Sequence, residues 1–151
     1  MKLVKDDRLR CPVEKEYVEA LGLAAYTFAS LEWQVVWCME MIKPESIHKV
    51  VGEEMTAGTI AKKFIDVTRN MPKSKERETL KALAQKFMEL VQVRNKIMHG
   101  KPCTSPSGEQ RLSSNEIIEI ATLESAADDF VGCSGKLNDL FYGFLKTYKP
   151  V

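Results

Sequence analysis

Residues 80 to 100 read LKALAQKFMELVQVRNKIMHG, and their apolar spacing decides the fold class. Leu80, Leu83, Phe87 and Leu90 recur at intervals of three and four, the period of one helix face; a half-buried strand would alternate. Pro72 separates this segment from the one before it, and Gly100 with Pro102 supplies a stop, so the spacing predicts a helix over about Ser74 to His99. The seam also contains its own exception. Its next apolar positions are 94 and 97, and although Ile97 fits, position 94 is arginine.

Working outward, the same periodicity covers most of the chain. Pro12 suits the first turn of a helix that runs to about Ile42, where Lys43-Pro44 ends it. Its main stripe is Tyr17, Leu21, Ala24, Phe28, Leu31, Val35, Cys38 and Ile42, and Tyr26, Trp33 and Trp37 lie on a second face. A helix apolar on two faces needs cover on two sides: the domain's own core and, for the other, a second subunit. Residues 44 to 51 suggest a short helix closed by Gly52, and Ile60, Phe64, Val67 and Met71 mark another from about Thr59 to Met71. Residues 101 to 114, KPCTSPSGEQRLSS, are turn-rich and read as a loop or small hairpin. A last helix is expected from about Thr122 to Tyr148, with Leu123, Ala127, Phe130, Leu137, Leu140 and Phe144 inward. The fold class is therefore all-α, an up-and-down four-helix bundle with a short extra helix, in one domain spanning residues 1 to 151.

Composition narrows the functional classes. With 151 residues, 44% hydrophobic and 28% charged, the chain has enough core to fold without a disulfide or metal staple. Cys11, Cys38, Cys103 and Cys133 have no C-x-x-C spacing, so they read as small buried hydrophobes and no zinc site or other cofactor is expected. From Ala20 to Met39 only Glu32 is charged, but at mid-bilayer it would cost about 2.5–3.5 kcal/mol, so a membrane span is not the expected reading. The charged start, MKLVKDDRLR, lacks a signal-peptide hydrophobic region, which points to the cytoplasm and reduced thiols. ATPase, serine hydrolase and zinc protease motifs are missing.

Charge is distributed unevenly. Residues 62 to 101 carry eleven Lys/Arg against four Asp/Glu, while both flanks are net acidic and the whole chain is +1. Such a segment either concentrates a polyanion or forms a solvated lysine-rich helix face. Its candidate phosphate-contacting side chains are Arg77, Lys81, Lys96 and Lys101.

Arg94, Asn95 and His99 converge on the last turn of the helix within this segment, Asn95 and His99 sharing a face at a spacing of four. Arginine offers a bidentate fork for phosphate, and His99 stands at the negative end of the helix dipole, a setting suited to a proton-transfer imidazole. A phosphate clamp beside a proton-transfer group fits phosphodiester cleavage by internal transesterification. The same residues also admit a structural reading, in which His99 caps carbonyls and Arg94 pairs with Glu32. Glu32 either orients Arg94 or His99 or is a boundary carboxylate reaching water. His48 reads as a surface histidine, and Trp33 and Trp37 as core or interface residues rather than base-stacking ones.

The run Arg94-Asn95-Lys96-Ile97-Met98-His99-Gly100 resembles the R-x-x-x-x-H signature of the HEPN domains, in its Arg-Asn form followed by Gly. These are small helical, commonly dimeric proteins, many of them metal-independent ribonucleases of toxin–antitoxin and defence systems. The resemblance implies Arg94 and His99 as the catalytic pair, Asn95 as their polar companion, and a composite cleft built by two subunits. It also implies RNA as substrate and an antitoxin or regulatory protein as a further partner. One subfamily carries a Tyr two residues after the His; here that position is Lys101. The expected function is RNA cleavage by 2′-OH attack. The alternative is a non-catalytic helical dimer that binds RNA or nucleotide, or serves as a regulatory scaffold.

Overall fold

A computed structural model describes residues 11–151, so the reading of MKLVKDDRLR lies outside the described residues. The chain is mostly helical: α1 (Lys15–Ile42), α2 (Ser46–Gly52), α3 (Ala57–Arg69), α4 (Lys75–Met98) and α5 (Ile120–Tyr142), with a short 3-10 turn at Phe144–Thr147. Between α4 and α5 lies a small antiparallel sheet of β1 (Lys101–Thr104), β2 (Gln110–Ser114) and β3 (Glu116–Ile118), in the order β1-β2-β3. No helix among the described residues is long and apolar enough to cross a membrane.

Local chemistry accounts for the helix ends. Ser74 Oγ accepts the Arg77 N–H at 3.0 Å at the start of α4, and Glu76 and Glu78 place negative charge on the positive end of its dipole. Thr56 caps α3 in the same manner. The first helix begins at Lys15 rather than at Pro12. The last stops at Tyr142, short of the expected Tyr148, where Gly143 leaves helical geometry at φ −100° and ψ −100° in a position whose Cβ would stand 2.9 Å from the Asp139 carbonyl. Glycine permits a backbone turn there that other residues resist.

The predicted seams form the core. Phe28 of α1, Phe87 of α4 and Phe130 of α5 meet at its centre, Phe28 stacked on Phe87 at 6.0 Å and edge-on to Phe130 at 5.2 Å. Along its length α1 packs on α5, while α3 packs on α4. Cys38 and Cys133 are buried as expected, and burial pushes their thiols up to about 12 and about 11. Cys11 is exposed and Cys103 half-buried, so the buried-hydrophobe reading fails for those two. The second face of α1 stays open in the single chain, with Tyr26 74% and Trp37 50% exposed.

Residues 101 to 114 form the small hairpin that was one of their two expected forms, β1 pairing antiparallel with β2, and the departure from expectation is β3, which extends that hairpin to a three-stranded sheet. Two devices hold the sheet to the helices. The Tyr17 hydroxyl donates to the Ile118 carbonyl at 2.8 Å and accepts the Leu112 N–H at 2.9 Å, tying β3 and β2 to the start of α1. Beside it, the buried Arg111 bonds Glu14 at 3.0 Å and Glu119 at 3.5 Å, with its guanidinium 4.7 Å from the Tyr17 ring centroid. Gly100 makes the junction possible: a Cβ there would meet the Leu112 Cβ at 3.0 Å and Ile118 Cδ1 at 3.3 Å.

Candidate functional site

The end of α4 carries the candidate residues, and its last turn sorts them onto different surroundings. His99 is the C-cap: its main-chain N–H donates to the Asn95 carbonyl at 2.9 Å, closing the last helical turn. Its imidazole is exposed. It borders a cleft of about 340 Å³ together with Lys101, Pro102, Cys103, Ser113, Ser114 and Asn115.

Arg94, one and a half turns earlier, points toward α1 instead. Its guanidinium lies over the Phe28 ring at 5.0 Å from the centroid, and Nη1 donates to Asn95 Oδ1 at 3.0 Å. This explains how a charge is tolerated on the seam: the aromatic face and the amide replace part of its hydration, and the group remains half-buried rather than sealed. Glu32 is half-buried on the same side. Burial raises its carboxyl above the ordinary glutamate value, and the positive field of Arg94 opposes that rise. The two do not close into an ion pair; Arg94 bonds Asn95 instead.

The other basic candidates divide. Lys96 and Lys101 are exposed, Lys101 on the rim of the His99 cleft. Lys81 pairs with Glu78 at 3.7 Å on the surface. Arg77 is committed internally: its side chain is only 12% exposed, Nη2 donates to the Arg69 carbonyl at 2.7 Å, and Nη1 bonds Glu78 at 2.9 Å. It thus caps the end of α3 and is not placed to meet a phosphate backbone.

Sequence reasoning missed the half-buried polar residues of the sheet and the Arg111 network. The available signals were a tyrosine on the buried stripe of α1, whose hydroxyl needs a partner, and an arginine flanked by strand-forming residues. A larger cavity, about 610 Å³, lies elsewhere. Its lining includes Met39, Val50, Met55 and Met71 with Lys43 and Lys63. None of the candidate residues borders it. No protein family, curated protein or solved structure matches the chain.

Proposed function

We propose that this chain is a metal-independent endoribonuclease of HEPN type, acting as a homodimer in the cytoplasm, in the manner of a toxin or defence effector. On this reading α1, α3, α4 and α5 are the four helices of an up-and-down bundle. The observation that carries it is the arginine that interrupts an otherwise apolar seam. Arg94 is held half-exposed by Phe28 and Asn95, one and a half turns before an exposed His99, within the +7 segment.

In one chain Arg94 and His99 face different surroundings, so the mechanism needs the second subunit. The open face of α1 is where a copy would dock. At 100° per residue, Ala29 stands about 60° around α1 from Glu32, Trp33 about 100° and Trp37 about 140°. The exposed aromatic face is therefore continuous with the edge that holds Glu32 and Arg94, and a partner seated on it borders both. In such a dimer the ribose 2′-oxygen attacks the adjacent phosphorus as one His99 takes its proton. The bond from phosphorus to the 5′-oxygen breaks, and the second His99 protonates that oxygen. Arg94 stabilises the added charge on the five-coordinate phosphate, with Asn95 fixing its guanidinium and Glu32 orienting it. A 2′,3′-cyclic phosphate and a 5′-hydroxyl result.

The test is RNA cleavage by the purified protein with EDTA present, wild type beside His99→Ala. Cleavage should persist in EDTA and fall by about 10²- to 10⁴-fold in the variant, while sedimentation gives twice 17.1 kDa for both. Metal-dependent cleavage, or equal rates for the two proteins, refutes the assignment. A second reading, a non-catalytic dimer that binds RNA or nucleotide, possesses one observation of its own: His99 opens onto the sheet and Arg94 onto α1. It predicts binding by both proteins with turnover by neither. An antitoxin or regulatory partner belongs to either reading.

A further inference from the structure

The two ends of the small sheet use their polar residues in opposite ways. At the β1–β2 turn nearly everything is satisfied within the chain. Ser105 bonds the Glu109 carboxylate and accepts the Glu109 N–H at 3.1 Å, Gln110 bonds Thr104 at 3.1 Å, and Arg111 is shared between Glu14 and Glu119. At the other end, beside His99, the pattern reverses. Ser113 and Ser114 are half-buried, Asn115 and Lys101 exposed, and none of these side chains has a hydrogen-bond or ion-pair partner among the described residues. Half-buried hydroxyls without protein partners are groups that a ligand can satisfy.

Register brings them to His99. Lys101 pairs with Ser113, and continuing past the start of β1 sets Ser114 level with Gly100 and Asn115 level with His99. Asn115 closes the β2–β3 turn with a φ of 70°, the left-handed region that asparagine tolerates better than most residues, so its amide is carried by a fixed turn. The cleft is lined by two basic residues, His99 and Lys101, together with Ser113, Ser114 and Asn115, and has no carboxylate among its lining residues. It has a volume of about 340 Å³ and is open to solvent.

We infer that this end of the sheet is the nucleotide-recognition wall of the site: Lys101 meets a phosphate flanking the scissile one, and Ser113, Ser114 and Asn115 hydrogen-bond the ribose and base edge of the nucleotide beside His99. The inference rests on the ribonuclease reading for its substrate class and deepens it by assigning selectivity to the sheet. Hydroxyl and amide groups both donate and accept, the capacity needed to tell one base edge from another, whereas lysine supplies attraction without discrimination.

The experiment uses the full chain and the four ribonucleoside 3′-monophosphates, titrated by NMR and calorimetry. Wild type is compared with the triple variant Ser113→Ala, Ser114→Ala, Asn115→Gly and with Lys101→Glu; glycine keeps the positive-φ turn, and thermal melts check folding. Wild type should bind one base over the others, with shifts at residues 99–103 and 113–115. The triple variant should bind about tenfold or more weakly and lose most of the discrimination, while Lys101→Glu should weaken monophosphates but not the parent nucleosides. Should the triple variant misfold, Ser114→Ala alone must still lower affinity and preference. Equal affinity and preference in the variants, shifts away from the sheet, or no binding by wild type at millimolar nucleotide overturns the inference. Binding at the sheet without RNA cleavage retains the recognition wall and removes the ribonuclease reading; cleavage with a base preference indifferent to these residues does the reverse.

Discussion

Replacing Tyr17 by phenylalanine removes one oxygen atom, and that atom makes two hydrogen bonds, one buried and one partly buried. The hydroxyl donates to the Ile118 carbonyl at 2.8 Å and accepts the Leu112 N–H at 2.9 Å, so its loss strands one main-chain acceptor and one donor beneath the sheet. Burial raises the pKa of the phenol, so at neutral pH it remains the donor that Ile118 requires. The aromatic ring survives the substitution and keeps its contact with Arg111, which isolates the hydroxyl's contribution. A stranded buried group costs about 1–3 kcal/mol, and the Leu112 N–H is only partly buried, so the expected loss is about 2–4 kcal/mol. For a chain of 151 residues that lowers Tm by about 5–15 °C. Chemical denaturation should give the free energy, and hydrogen exchange should show the Leu112 amide losing protection before the core of α4. A variant within about 0.5 kcal/mol of wild type, with the Leu112 amide equally protected, would mean that the sheet is held by other contacts and that the docking argument fails.

Arg94→Leu should keep the stem packing on Phe28 and hold stability within about 1 kcal/mol, whereas Arg94→Ala should lose about 1–2 kcal/mol with the ring contact and the Asn95 bond; denaturant titration separates this from the roughly 3–5 kcal/mol of a broken buried ion pair. Glu32 has a raised pKa in the fold, so the folded state holds that proton more tightly than the unfolded chain, and stability falls as pH rises from the ordinary glutamate range through the raised value. Glu32→Gln should therefore melt above wild type at pH 7, and the gap should close below the ordinary glutamate range; a less stable variant at pH 7 would show that attraction to Arg94 outweighs burial. Gly100→Ala should cost about 1–2 kcal/mol in denaturant titrations, the crowding against Leu112 and Ile118 exceeding the gain from a stiffer unfolded chain.

The helices were legible because one effect, the burial of a periodic stripe, governs each of them. Leu80, Leu83, Phe87 and Leu90 are all buried, as are Ile60 and Phe64 in α3 and Leu123, Phe130 and Leu137 in α5. The sheet was legible only in part: turn-rich residues allowed a hairpin over 101 to 114, but β3 went unread, because strands of four, five and three residues are too short for alternation to stand out and their stability comes from distant groups. Tyr17 and Arg111 are 94 positions apart, and nothing local in either segment announces the other. Gly143 shows a different limit. Its neighbours Leu140 and Phe144 continue the helical period, and only the backbone of Gly143, at φ −100° and ψ −100°, shows that the helix ends there.

The candidate site was legible through a violation rather than through a pattern. Arginine at 94 conflicts with its seam, and the conflict is tolerable only near the end of the helix. At Leu83 or Phe87, 6% and 0% exposed, a guanidinium would be cut off from water and from any partner; at 94 it can rest on Phe28, bond Asn95 and still reach solvent. What the linear motif could not convey is the direction in which each group faces. Spacing placed Arg94, Asn95 and His99 within a turn and a half, but Arg94 turns toward α1 and His99 toward the sheet, because five residues at 100° each leave them about 140° apart around the axis. Arg94 and His99 thus leave one helix end in different directions, Arg94 over Phe28 and His99 beside the sheet, and under the proposed mechanism a second subunit completes the site. Under that proposal the exposed aromatic face of α1, which runs up to Glu32, is the surface a second copy covers, so a measurement of oligomeric state tests the mechanism itself.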